Sequence, residues 1–392
     1  MRYLIIGNGV AGTEAAKTIR KNDDKSEITT ITKSNNLFFF RPRLIDYIAG
    51  NVSVDKITPF KKNFYQDNNI KIILNETVTD IDDVKQTVST LSNKSYEYDK
   101  LLLAQGAKPF IPPIEGVEKK GVFSLRSIND SDKIKEYCQN KKNIIIIGGG
   151  LLGIEVANSL LNTGANITIV EFFDYLLPRQ LDAAGSEILT NLLKQKGLSF
   201  KLGCATKSIN GNESVKSITL DSGEELATDA IIISAGIRPR LELTKNTDIK
   251  INKGIIVDDF METSVKNIYA AGDISEHNNI CYGLWLPAKE QGFIAAQNMT
   301  NLKTKYSGSK IETRMKVTGI SLFSAGDINK NDALINRITN NTSYQKTIIK
   351  NDNLIGAISI GDSKSASTLA KIFEGKTELN SYLNLDGNFK IN

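Results

Sequence analysis

Tyr3-Leu4-Ile5-Ile6-Gly7-Asn8-Gly9-Val10-Ala11-Gly12 and Ile144-Ile145-Ile146-Ile147-Gly148-Gly149-Gly150-Leu151-Leu152-Gly153 follow one pattern: an apolar run, G-x-G-x-x-G, then an apolar-periodic segment. The apolar runs predict strands buried on both faces, as in a parallel sheet. In such a turn the first glycine makes the bend, the second admits a pyrophosphate, and the third lets helix pack on strand. The helix start then offers unpaired N–H groups to phosphate. A single loop of this kind is weak evidence. Two, each between a strand and a helix, predict two dinucleotide sites in one chain. A flavin and a nicotinamide form the natural pair, and they point to electron transfer.

The rest of the chain organises around these loops. Residues 1–35 read as strand 3–6, helix 13–21 and strand 28–31. A strand at 71–74, a hairpin over 84–91 and 94–98, and an apolar strand at 101–104 follow. Pro109, Pro112 and Pro113 mark an exit from this unit. A helix at 129–139 leads into the second β-α-β: 143–147, 152–161 and 166–171. A helix over 183–196 is capped by Gly197, and strands ending at 230–234 complete the unit. The expected architecture is α/β. Two Rossmann-like domains, the second inserted in the first, are followed by a small α+β domain. The expected boundaries are 1–112 with 240–305, then 113–239, then 306–392.

The two loops read differently. Glu171 ends the second strand of the second unit, 18 residues beyond Gly153. A carboxylate there accepts a hydrogen bond from a ribose 2′-OH and repels a 2′-phosphate, so this site is expected to take NADH over NADPH. Gly148, Gly150, Leu151, Leu152, Gly153 and Glu171 are its candidate contacts, with Gly236 at the exit turn. In the first unit no Asp or Glu lies between Glu27 and Asp46. Lys33 and Ser34 stand where the ribose contact is expected.

Composition excludes other classes. The chain has 392 residues, 40% hydrophobic and 24% charged, enough to bury a large core. Its longest apolar stretch, 144–154, is too short to span a bilayer. It starts almost directly in a strand, which leaves no room for a signal peptide, so a cytoplasmic location is expected. Cys138, Cys204 and Cys281 are far apart and form no C-x-x-C or C-x₄-C. With a single histidine, His277, read here as a solvated loop residue, no metal centre is expected.

Further segments carry a family resemblance. Tyr98-Asp99-Lys100-Leu101-Leu102-Leu103-Ala104-Gln105-Gly106 resembles the crossover of two-dinucleotide flavoproteins. Ser234-Ala235-Gly236-Ile237-Arg238-Pro239 looks like the matching exit from the nicotinamide domain. Ile268-Tyr269-Ala270-Ala271-Gly272-Asp273 is similar to their flavin motif, whose aspartate binds ribityl and phosphate groups. Ala288-Lys289-Glu290-Gln291-Gly292 resembles the helix start that faces the flavin pyrimidine. Residues 1–305 thus resemble the FAD-dependent pyridine nucleotide–disulfide oxidoreductases.

Phe38-Phe39-Phe40-Arg41-Pro42-Arg43-Leu44 and the segment 316–327 are similar to the clostridial NADH:rubredoxin oxidoreductases, and 316–327 also to the amino-terminal part of assimilatory nitrite reductases. That resemblance implies that Arg41 and Pro42 line the flavin. With Gly7, Gly9, Val10, Ala11, Gly12, Lys33, Ser34, Val78, Ala104, Gly106, Asp273 and Gln291 they form the candidate FAD set. Glu155, placed on the first turn of the nicotinamide helix, is a candidate positioning acid; a first-turn acid favoured by the helix dipole is the plainer reading.

The resemblance implies hydride transfer from NADH to FAD and one-electron delivery to rubredoxin or a similar acidic carrier. No membrane or nucleic-acid partner is expected. The basic excess fits an acidic carrier: residues 301–392 hold 13 Lys+Arg against 8 Asp+Glu, while residues 1–300 balance at 36 against 36. An NADH oxidase using oxygen and a non-catalytic NADH-sensing module remain open at this stage.

Overall fold

A computed structural model describes residues 1–379 apart from 318, 331 and 332; the end of the expected third domain, 380–392, lies outside the described residues. The chain divides into two compact units. One comprises Met1–Phe110, Arg126–Ile128 and Ile237–Ser309; the other comprises Ile111–Leu125, Asn129–Gly236 and the chain from Lys310 onward.

The first unit is built on a five-stranded parallel sheet in the order Ile268–Ala270, Lys100–Leu103, Arg2–Ile6, Glu27–Ile31, Ile70–Ile73. Its central strands are buried on both faces, which is why Tyr3–Ile6 and Leu101–Leu103 contain no outward polar residue. The second unit repeats the plan: Leu198–Leu202, Asn166–Glu171, Asn143–Ile147, Ala230–Ile233, Val122–Ser124, again all parallel. Each unit also carries a three-stranded antiparallel sheet, Val78–Asp82 with Thr87–Thr90 and Ser95–Glu97 in the first, Thr206–Asn210 with Ser217–Leu220 and Glu225–Ala227 in the second. A third sheet of the second unit is five-stranded and antiparallel: Glu312–Val317, Ile320–Gly326, Asn353–Ile360, Tyr344–Lys350, Leu334–Thr339. Helix Ser363–Phe373 packs on two of its strands, its start capped by Asp362.

Several elements depart from the sequence reading. The hairpin expected from residue 84 begins at Thr87, and Val78–Asp82 is a strand of its own. Asp82 explains the break: its carboxylate accepts from the Lys85 N–H and Nζ, turning the chain and leaving Val84 exposed. Both glycine-loop helices start earlier than expected, at Val10 and Leu151, directly after Gly9 and Gly150. His277 is not a solvated loop residue. It is 2% exposed, on strand Ser275–His277, with Nε2 3.0 Å from Asp259 Oδ1, a partner too distant in sequence to foresee.

Candidate functional sites

The first glycine loop is shaped by close backbone contacts. Gly7 has φ +112, and a Cβ there would sit 2.3 Å from the Ala104 carbonyl oxygen. A Cβ on Gly12 would meet the Gly7 oxygen at 2.0 Å, whereas one on Gly9 would meet nothing within 4 Å. The outer glycines are therefore demanded by the chain, and the middle one faces open space. Gly9 offers no side-chain acceptor to the helix Val10–Asn22, so no cap competes for its first-turn N–H groups. Asn8 is pinned by Thr13 Oγ1 (3.2 Å) and by Tyr65, whose phenol lies 3.0 Å from the Asn8 amide nitrogen. The same phenol is 3.5 Å from the Phe38 N–H. Tyr65 carries no motif and was missed in the sequence.

A cationic cluster lies in the same unit. Arg41 Nε donates to the Arg126 carbonyl at 3.3 Å, and Arg126 pairs with Asp273 at 2.5 Å. Burial, then the neighbouring Arg126 charge, pushes Arg41 down to about 10. Arg240 is lowered too, by burial and, within that balance, by Arg126. Arg126 alone bonds to Asp273, Arg41 lies within reach of both charges, and Arg240 is balanced by Glu242; the paired Arg41 and Arg126 guanidiniums suit a bound diphosphate. Gln291 Oε1 accepts from the Gly272 N–H and Ser275 Oγ, both at 2.9 Å, while its Nε2 is buried with no protein partner. Gln105 Oε1 is likewise buried and unpartnered. Buried polar atoms without partners are costly unless a ligand satisfies them, so cradle, cations and orphaned amides together fit FAD.

The other candidates of this set are placed as follows. Val10 starts the helix, Ala11 is buried under Gly272 and Gly292, and Val78 is 8% exposed on its strand. Gly106, at φ +66, lies beside Arg126 and Asp273. Lys33 and Pro42 are exposed. Partial desolvation of its head, then the Arg240 charge, lowers the Lys33 ammonium. Ser34 Oγ accepts from the Asn36 N–H at 3.0 Å. Phe38 and Phe40 contact Trp285 at ring distances of 5.9 and 5.6 Å, holding the Arg41 segment.

One expectation here needs correction. Residues 288–292 do not start a helix: it runs Trp285–Met299, so Gln291 is buried in its second turn. Pro287 misleads, because proline is tolerated in a first turn whose N–H groups are unpaired anyway. Gly292 sets the position of this helix. A Cβ there would lie 2.3 Å from the Ala11 oxygen, so the helix packs directly on Val10–Asn22.

The second loop repeats the first. A Cβ on Gly148 (φ +114) would meet the Ser234 oxygen at 2.4 Å, and one on Gly153 the Gly148 oxygen at 2.0 Å, while Gly150 and Gly236 face open space. Glu171 is 7% exposed; its Oε2 accepts from the Gly149 N–H at 2.5 Å and its Oε1 from the Phe173 N–H at 2.9 Å. The carboxylate is thus locked at the loop. Leu151 is half-buried and Leu152 exposed at the helix start. Phe172 and Phe173 follow Glu171, exposed and edge-to-face at 5.4 Å. Glu155 is the fifth residue of Leu151–Leu160, so it lies in the second turn and not the first, because the helix begins right after Gly150. That position removes the helix-start argument for an acid there.

Among the described residues no group of three or more His, Cys, Asp and Glu is placed to hold a metal, and no helix is long and apolar enough to cross a membrane. Burial pushes the Cys138 thiol up to about 12 and Cys281 to about 11, disfavouring thiolate.

Residues 1–301 match the family model described as pyridine nucleotide-disulphide oxidoreductase, and residues 312–377 match that of the rubredoxin NAD+ reductase C-terminal domain. The chain belongs to the pyridine nucleotide-disulphide oxidoreductase family. It is 35% identical to a Clostridium acetobutylicum NADH-rubredoxin oxidoreductase over 98% of this chain and 97% of the relative. The crystal structure of NADH:rubredoxin oxidoreductase from that organism superposes with a TM-score of 0.80 at 34% identity, covering 98% of both chains. An NAD(P)H nitrite reductase of Bacillus subtilis is 35% identical over 96% of this chain, which spans only 48% of that relative. This family member, unlike the disulfide reductases that name the family, has no closely spaced cysteine pair.

Proposed function

We propose that the protein is an FAD-dependent NADH:rubredoxin oxidoreductase, which takes hydride from NADH and delivers electrons singly to rubredoxin or a similar small, acidic iron–sulfur carrier. One observation carries the reading: two complete dinucleotide cradles in a chain with no cysteine pair to act as a second redox centre. FAD, when bound, supplies the exchange between two-electron hydride chemistry and one-electron transfer.

The chain's own residues bind and orient. Gly7, Gly9 and Gly12 would admit the FAD diphosphate to the first helix start, with Arg41 and Arg126 neutralising it. Asp273 would take ribityl hydroxyls, and Gln291 would give its Nε2 to the flavin side. Gly148, Gly150 and Gly153 would do the same for NADH, with Glu171 receiving the 2′-OH. No general acid or base is required of the protein, which agrees with a single, structurally engaged histidine. Full-length similarity to a rubredoxin reductase and the matching C-terminal domain support the choice of acceptor. The basic excess of residues 301–392, net +5, favours an acidic partner. Such a reductase works where NADH is regenerated, in the cytoplasm.

Anaerobic NADH oxidation with and without rubredoxin tests the reading. Turnover should depend on rubredoxin and slow as salt screens the encounter over roughly 8–10 Å. Equal turnover with oxygen alone would favour an oxidase, and no turnover a sensing module.

A further inference from the structure

The second glycine loop is buttressed by the segment that follows Glu171. A Cβ on Gly149 would meet Leu176 Cδ2 at 2.5 Å, and the Leu177 N–H points to the Gly149 carbonyl at 3.4 Å. Both leucines are fully buried, and Leu177 sits at φ +53, a left-handed conformation that a leucine adopts only when its surroundings impose it. The Gln180 and Leu181 N–H groups close back on the Leu177 carbonyl at 2.8 and 2.9 Å.

The antiparallel C-terminal sheet bonds to the end of this segment. Ser324 Oγ donates to the Gln180 carbonyl at 2.6 Å. Asp182, which caps helix Ala183–Gln195 by accepting from the Gly185 N–H, also accepts from Tyr344 OH at 2.8 Å and Lys346 Nζ at 3.0 Å. Tyr344 is 1% and Lys346 5% exposed, and the Tyr344 ring lies against Gly185, where a Cβ would come within 3.0 Å. Lys346 is anchored in its own domain through the Ile328 carbonyl at 2.8 Å. The buried Lys346 charge, bonded to Asp182 on one side and to Ile328 on the other, is expensive to rearrange.

We propose that the C-terminal domain is a clamp on the nicotinamide-nucleotide site: Ser324, Tyr344 and Lys346 hold residues 176–182 so that Leu176 and Leu177 set Gly149, and through it Glu171, in nucleotide-binding geometry. They are positioning residues, acting through the segment and touching no nucleotide themselves. The proposal rests on the reading of the second loop as the NADH site. Because linkage is reciprocal, a carrier that alters the C-terminal domain also alters NADH affinity.

The test uses the FAD-loaded enzyme with ADP-ribose as calorimetric probe, and NADH against reduced nicotinamide mononucleotide, which lacks the AMP half, as substrates. A Tyr344→Phe/Ser324→Ala variant removes two hydrogen bonds at nearly constant shape. Its Kd for ADP-ribose and KM for NADH should rise roughly 5–10-fold, about 1–1.4 kcal/mol. FAD content and turnover of the mononucleotide should stay at wild-type level, a split that general loss of fold would not produce. In the wild-type enzyme, ADP-ribose should slow amide hydrogen exchange in both 176–182 and 344–347, a readout that stands even where the variant fails to fold. Unchanged ADP-ribose affinity in the folded variant, or no protection at 344–347, overturns the clamp alone. A wild-type enzyme that does not bind ADP-ribose overturns the NADH-site reading, and the clamp with it.

Discussion

Replacing Glu171 by glutamine should convert an NADH-selective site into a permissive one. The carboxylate is 7% exposed and held by the Gly149 and Phe173 N–H groups, so it cannot swing away from a 2′-phosphate. Two unit charges at about 4 Å interact by about 4 kcal/mol at an effective dielectric of about 20. The phosphate keeps a solvated side, which brings the penalty to ~2–3 kcal/mol. That corresponds to roughly 30–150-fold in kcat/KM for NADPH against NADH. Glu171→Gln removes the charge and keeps an acceptor for a loop N–H, so the selectivity ratio should fall by about that factor while the NADH rate drops modestly. Glu171→Ala removes the acceptor as well and should weaken both nucleotides. The assay is flavin bleaching after anaerobic mixing with each nucleotide across a concentration series. A wild-type ratio near unity, or a Glu171→Gln ratio equal to the wild-type one, would refute the role given to this carboxylate.

Other perturbations separate binding from folding. Arg126→Met leaves the half-buried Asp273 carboxylate without its cation, a loss of about 1–3 kcal/mol, and should yield protein purified with substoichiometric FAD; full flavin content and an unchanged denaturation midpoint would count against the cluster. Gly292→Ala drives a methyl into the Ala11 carbonyl and should cost roughly 1–3 kcal/mol in denaturant unfolding. Gly9→Ala meets no protein atom within 4 Å, so it should leave apoprotein stability alone and weaken FAD selectively, which flavin release on dilution would reveal. Burial acts to raise the Asp182 carboxyl, but hydrogen bonds from Tyr344, Gly185 and Lys346 outweigh it and hold it below its ordinary value. A depressed carboxyl stabilises the fold above its unfolded pKa of about 4 and loses that contribution as pH falls through the lower native value. Stability should therefore fall in that acid window, and Asp182→Asn should flatten this part of the profile.

What was legible in the sequence follows from the range of the forces. Both glycine loops were readable because the chain itself demands glycine there: a Cβ at Gly7, Gly12, Gly148 or Gly153 would strike a backbone oxygen at 2.0–2.4 Å. The central strands were readable because burial on both faces leaves only apolar residues. Glu171 stood out because a strand-end acid lies at fixed spacing from its loop. Arg126 did not, since it reaches Asp273 across 147 residues and has no local pattern. Tyr65 was equally silent, pinning Asn8 from 57 residues away. The contacts of Asp182 with Tyr344 and Lys346, 162 and 164 residues apart, belong to tertiary packing that no motif encodes. Local errors had local causes: a first-turn proline hid the start of the Trp285 helix, and an Asp82 turn shortened a strand.

Electrons passed singly from the reduced flavin to an iron–sulfur carrier can be followed directly. The most direct measurement mixes enzyme, reduced by one equivalent of NADH under anaerobic conditions, with oxidised rubredoxin in a stopped-flow spectrometer, and with oxygenated buffer in a parallel run. Rubredoxin should bleach as the flavin is reoxidised, faster than oxygen reoxidises it. Reduced flavin that persists in the presence of rubredoxin, yet is reoxidised promptly by oxygen, would contradict this.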